Sequence, residues 1–131
     1  MEIIRAFIPE SPFAASLGLT LESLEPDAAV LALPFRPDVA TIGDVVHGGA
    51  ISTLADTAAM AAAWATDEVP ESVAGATVSL SVSFLAAASG VDLVARARVR
   101  RRGGRMVFVD VDVEDGGGRL VAQALAVYRL G

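Results

Sequence analysis

The repeat of polar and apolar positions changes along this chain, and each change marks an element. SPFAASLG, from Ser11 to Gly18, offers a Ser cap, a Pro at the first helical position and a Gly stop, which predicts a short helix. LTLESLE and AAVLALPF follow as two strands joined around Pro26 and Asp27. Residues 36–46, punctuated by Pro37, Asp38 and Gly43, read as a loop. From Gly43 to Trp64 the chain runs GDVVHGGAISTLADTAAMAAAW, with Ile51, Leu54, Ala55, Ala58 and Ala62 on one helical face. Asp56 lies on the other side, beside Ser52, Ala59, Met60 and Ala63. A face turned to water should carry charge, and this one carries a single carboxylate. The pattern therefore predicts a helix buried nearly all round, with one acid inside that burial.

Beyond Val69 and Pro70 the repeat becomes two. TVSLSVSFL alternates, placing Val78, Leu80, Val82 and Phe84 on one face and Thr77, Ser79, Ser81 and Ser83 on the other. VDLVARARVR points Leu93, Ala95, Ala97 and Val99 inward and Arg96, Arg98 and Arg100 outward. RMVFVDVDVE sets Val107, Val109, Val111 and Val113 against Asp110, Asp112 and Glu114. The intervening RRGG predicts an antiparallel hairpin on which arginines face acids. A turn at Asp115–Gly118 leads to the last strand, LVAQALAVYRL. One long helix against a mostly antiparallel sheet is an α+β fold, in a single domain spanning residues 1–131.

Composition then removes chemistries. The chain has no cysteine, so it has no thiolate nucleophile and no disulfide framework. All ten basic residues are arginine, which excludes a lysine Schiff base and a P-loop. One histidine cannot build a multi-histidine metal site within one chain. A net charge of −6 argues against nucleic acid as a partner. MEIIRAFIPESPF lacks the apolar core of a signal peptide, and the Ala-rich helix is short and weakly apolar for a membrane span. The expectation is a cytoplasmic protein without metal, bound cofactor or membrane partner.

VVHGGAISTLADTAAMAAAW, with its HGG and an Asp nine residues after the histidine on a helix preceding four strands, resembles the PaaI-type acyl-CoA thioesterases of the hotdog fold. The element order matches across the whole chain. The resemblance implies a sheet wrapped round the helix and a homodimer that pairs again into a homotetramer. It also implies two interface sites acting on acyl-CoA, with coenzyme A as part of the substrate. By position it assigns Asp56 as general base or nucleophile, the Gly48 N–H as the group polarising the thioester carbonyl, and Thr77 as a hydroxyl near the attacking water. In the family the carboxylate and the helix-start glycine come from different subunits. Many relatives also carry an asparagine several residues before the histidine. This chain has no asparagine, and PDVATIGDVV offers Asp38, Thr41 and Asp44 with a spacing shifted by one.

The residues have a physical logic of their own. Thioester hydrolysis needs an attacking oxygen and a stabilised oxyanion. Free N–H groups at a helix N-terminus supply hydrogen bonds and the positive end of the dipole, and glycine lets a substrate approach closely. Gly48 and Gly49 otherwise fit a tight turn, and Asp56 otherwise serves as a hydrogen-bonded structural acid. His47 either shuttles protons or orders the backbone at the site. Ser52 lacks a GxSxG elbow and reads as packing. Met60 and Trp64 are expected in the acyl tunnel. Arg101, Arg102 and Arg105 lie at the turn without obvious neighbouring acids, and the resemblance, in which this region lies near the coenzyme A nucleotide, implies that they meet its phosphates. Two rivals to hydrolysis are a non-catalytic acyl-CoA sensor, which needs no carboxylate at the reacting carbon, and an enoyl-CoA hydratase, whose usual downstream histidine is missing.

Overall fold

The computed structural model describes residues 1–131. Helices α1 (Glu2–Glu10) and α2 (Pro12–Leu17) lead into strands β1 (Thr20–Glu25) and β2 (Ala28–Leu33). A 3-10 turn (Pro37–Val39) and a small hairpin, β3 (Ala40–Ile42) and β4 (Val45–Val46), precede the long helix α3 (Gly48–Ala63). Four strands complete the chain: β5 (Gly75–Phe84), β6 (Leu93–Gly103), β7 (Met106–Asp115) and β8 (Leu120–Leu130). Six strands form one sheet in the order β1-β2-β6-β7-β8-β5. Every neighbouring pair in it is antiparallel.

The sheet curls round α3. Leu54, Ala55, Ala58, Ala61 and Ala62 are fully buried against it, and Val107, Val109, Val111 and Val113 of β7 meet them from below. Alanine on the helix lets the backbones approach closely, and each buried valine contributes about 1.5–3 kcal/mol. α2 keeps its expected boundaries: Pro12 opens it, and Gly18 closes it in the left-handed region at φ 73°.

Four expectations change. Helix α1, which the early acid and prolines concealed, packs through Ile4 and Ile8, one turn apart. The loop at 36–46 contains the 3-10 turn and the β3–β4 hairpin. No charged side chain is buried, because Thr53, Asp56, Thr57 and Met60 of α3 form a half-exposed stripe while Ala59 and Ala63 are buried. Finally, β5 does not alternate strictly. Its register against β8 slips between Thr77 and Ser79, so Thr77 joins Leu80 and Val82 on the side facing α3, and Val78 is 54% exposed.

Candidate functional site

The open stripe of α3 forms one wall of a cleft of about 330 Å³. Thr53, Asp56, Thr57 and Met60 line it from the helix, Gly75, Ala76 and Thr77 from β5, Tyr128 from β8, and Ser11, Phe13 and Ala14 from the start of α2. The bulge in β5 matters here, since it turns the Thr77 hydroxyl inward to donate to Asp56 Oδ1 at 2.7 Å. The carboxylate is thus held by a neutral donor, half-exposed at the cleft, and its second oxygen makes no hydrogen bond in the chain. That oxygen can accept a proton from water or approach an electrophilic carbon.

The start of α3 is built by the histidine. His47 is the N-cap, with extended backbone (φ −63°, ψ 134°), and its Nδ1 accepts from the Gly49 N–H at 2.7 Å. A Cβ on residue 49 would lie 2.9 Å from Nδ1, so glycine there is what allows the ring to fold over the helix end. The Ala50 and Ile51 N–H groups both donate to the His47 carbonyl. Gly48 alone keeps a free N–H at this terminus, under the edge of the Phe84 ring, which would lie 3.3 Å from a Cβ on residue 48. The two glycines thus differ: the Gly49 amide is engaged by His47, and the Gly48 amide, the one the resemblance assigned to the carbonyl, is free to donate.

Gly48 and Asp56 do not meet in one chain. Eight residues of helix separate them by about 12 Å along the axis and about 80° around it. A carbonyl held at one is out of reach of the other.

Tyr128 is the site residue that the sequence did not reveal. It stands beside Thr77 in the sheet register, and its Oη accepts from Trp64 Nε1 at 3.0 Å. Burial raises its phenol above the ordinary 10.0, the Trp64 hydrogen bond partly opposes this, and the charge of Asp56 adds to the rise. Its only sequence signal was a polar tip at an inward position of the last strand. Trp64, expected in the tunnel, instead closes α3 and sits behind Tyr128, whereas Met60 does line the cleft.

The arginines divide as well. β6 slips against β7 between Val99 and Arg101, which reverses the facing of the residues beyond and turns Arg102 inward. Its guanidinium donates to the Ala63 and Ala62 carbonyls at 2.9 and 3.3 Å and pairs with Asp27 at 2.9 Å. Arg102 is thus neutralised and caps the C-terminus of α3, contrary to its expected place as a free cation at the turn. Arg101 and Arg105 remain exposed on that hairpin. Asp38 bonds Arg36, and neither it nor Thr41 nor Asp44 lines the cleft. Ser52 donates to the Gly48 carbonyl, a local helix bond. A larger hollow of about 570 Å³ lies on the outer face of the sheet. Arg96–Glu114 at 3.0 Å and Arg100–Asp110 at 3.3 Å pair across the strands of that face, while Asp56 lies in the smaller cleft.

Comparison with known proteins identifies the family and the fold. Residues 43–122 match the family described as Thioesterase superfamily. A candidate esterase of Saccharolobus solfataricus is 30% identical over 112 residues, covering 86% of this chain and 73% of its own. A thioesterase family protein of Silicibacter pomeroyi superposes with a TM-score of 0.89 at 26% identity, covering 98% of this chain and 96% of that one. The phenylacetic acid degradation protein PaaI of Thermus thermophilus, in a singly substituted form, gives 0.79 at 29% identity, covering 92% and 100%. The chain belongs to the thioesterase superfamily, and its fold is that of the PaaI-type hotdog proteins.

Proposed function

We propose that this protein hydrolyses acyl-CoA thioesters at two sites shared between the chains of a homodimer. The observation that carries the reading is the Asp56 carboxylate, held by Thr77 at 2.7 Å in the cleft, in a chain whose helix start offers one free amide at Gly48. Because the two cannot act on one carbonyl within a chain, a second copy must bring its Gly48 to the first copy's Asp56. β5 supplies the means. It is a sheet edge of ten residues with no charge and no proline, exposed along its length, and such an edge invites pairing with another strand. The opposite edge, β1, is interrupted by a bulge, carries Glu22 and Glu25, and is partly covered by α1.

In this scheme the thioester carbonyl accepts the Gly48 N–H of one chain. Asp56 of the other removes a proton from water as it attacks, or attacks the carbonyl itself to give a mixed anhydride that water then hydrolyses, freeing the acid and the carboxylate. The oxyanion is stabilised at the helix N-terminus, and its collapse expels the coenzyme A thiolate, which leaves readily because thiols are acidic. His47 orders the donor loop rather than moving protons. Arg101 and Arg105 lie toward the C-terminal end of α3 and are assigned to the nucleotide phosphates, with Gly49 and Met60 shaping the approach and the acyl wall.

The test is thiol release from a panel of acyl-CoA thioesters by the wild type and Asp56→Asn. Loss of about 10²–10⁴-fold in a folded variant that still binds substrate supports the carboxylate's role. Full activity in the variant removes that role. Tight acyl-CoA binding by the wild type without release makes the protein a sensor instead.

A further inference from the structure

Among the polar side chains of the cleft, Thr53, Thr57 and Thr77 donate to the Gly49 carbonyl, the Thr53 carbonyl and Asp56, whereas the Tyr128 hydroxyl donates to nothing in the chain and is left unused by the reaction scheme. Only 6% of its surface is exposed, and it lines the cleft with Met60 and Phe13. Trp64 donates to its Oη from behind and is the one hydrogen-bond partner that Oη has in the chain. An oxygen that accepts from the indole directs its own hydrogen away from it. Gly75 makes room for this placement: a Cβ there would lie 2.6 Å from Oη. With its titration displaced upward by burial, the phenol remains an O–H donor at neutral pH. Phe13 and Met60 supply apolar surface around it, and a buried donor with an uncommitted hydrogen beside apolar contacts can orient a ligand through a single polar atom.

We propose that Tyr128 sets the acyl specificity of the cleft by donating to an oxygen on the acyl chain, so that acyl groups bearing a hydroxyl or oxo oxygen beyond the thioester are preferred to their unsubstituted partners. The ligand's identity as a thioester rests on the reading above. Trp64 acts as the positioning residue that fixes the hydroxyl's direction. Without an acceptor on the acyl group, binding would leave this donor buried and unpaired, and that asymmetry is the source of the selectivity.

The experiment uses a series of oxo- and hydroxyacyl-CoA thioesters in which the oxygen is moved one carbon at a time, each against its unsubstituted partner. At one position the wild type is expected to favour the oxygenated member by about tenfold in kcat/KM. In Tyr128→Phe, which keeps the ring and its packing, that ratio falls to about one. A ratio unchanged in the variant, or no preferred position in the wild type, overturns the proposal. A purely structural Tyr128 would change both members of a pair alike and leave the ratio intact, which also counts against it. If the wild type hydrolyses nothing, the same ratio is read from dissociation constants of non-hydrolysable thioether pairs. The thioesterase reading then fails while Tyr128 is still decided.

Discussion

Replacing Arg102 with methionine keeps the aliphatic stem and removes every donor. The Ala62 carbonyl retains the Ala65 N–H at 3.1 Å, but Arg102 is the sole partner of the Ala63 carbonyl, in a residue with no exposed surface. Leaving that carbonyl unsatisfied costs about 2 kcal/mol. Losing a cation at the end of α3 adds about 0.5 kcal/mol. The ion pair with the half-exposed Asp27 adds about another 0.5 kcal/mol, discounted for solvent screening. The total of about 3 kcal/mol corresponds to a fall in Tm of about 10 °C for a chain of this length.

The assay is thermal unfolding at matched protomer concentration, because any self-association makes Tm depend on concentration. It is run beside KM measurements on an acyl-CoA. Arg102→Met should melt about 10 °C lower and keep its KM within about twofold once assayed well below its own Tm. If the Tm is unmoved while KM rises steeply, Arg102 binds substrate, and the capping argument is refuted.

The free guanidinium groups predict the opposite behaviour: Arg101→Ala with Arg105→Ala should leave Tm within about 2 °C but raise KM several-fold at low salt, an effect that fades as salt screens the phosphates. A KM that ignores both substitutions would detach the hairpin from coenzyme A. Placing a charge on the bare edge strand, as in Val78→Asp, sets like charges together if two β5 strands pair. Sedimentation should then shift from dimer to monomer and activity should fall in parallel, whereas an active monomer would show that one chain holds a whole site. Tyr128, whose folded phenol titrates above 10.0, keeps a proton that the unfolded chain releases. Its stability contribution is complete below about pH 10 and is lost as pH rises through the folded value. Wild-type Tm should therefore decline more steeply above pH 10 than that of Tyr128→Phe, and equal slopes would contradict the burial of that hydroxyl.

Much of this architecture could be read from periodicity alone. The alternation of valines with acids on β7 and of alanines with arginines on β6 located both strands, because a sheet with one covered face imposes a period of two. Ser11, Pro12 and Gly18 bounded α2 through the conformational demands of helix ends. The pairing of His47 with two glycines marked the start of α3, yet nothing in the spacing said which amide would remain free. That depends on where the imidazole folds, a side-chain contact that leaves no periodic trace. Helix α1 was obscured because two buried isoleucines one turn apart are too weak a pattern to stand against Pro9 near its end and Pro12 just beyond it.

Two residues that an unbroken strand period misplaces, Thr77 and Arg102, share one cause. Thr77 and Arg102 each lie beyond a bulge, and an extra residue in a strand exchanges its two faces. Read with an unbroken period, Thr77 points away from α3 and Arg102 toward solvent. With the bulges in place, both point at the same helix, Thr77 to the carboxylate in its middle and Arg102 to the carbonyls at its end. A helix packed through alanine has few polar attachments of its own. The sheet supplies them at two of the points where its regularity breaks, one orienting Asp56 and one holding the far end of α3 in place.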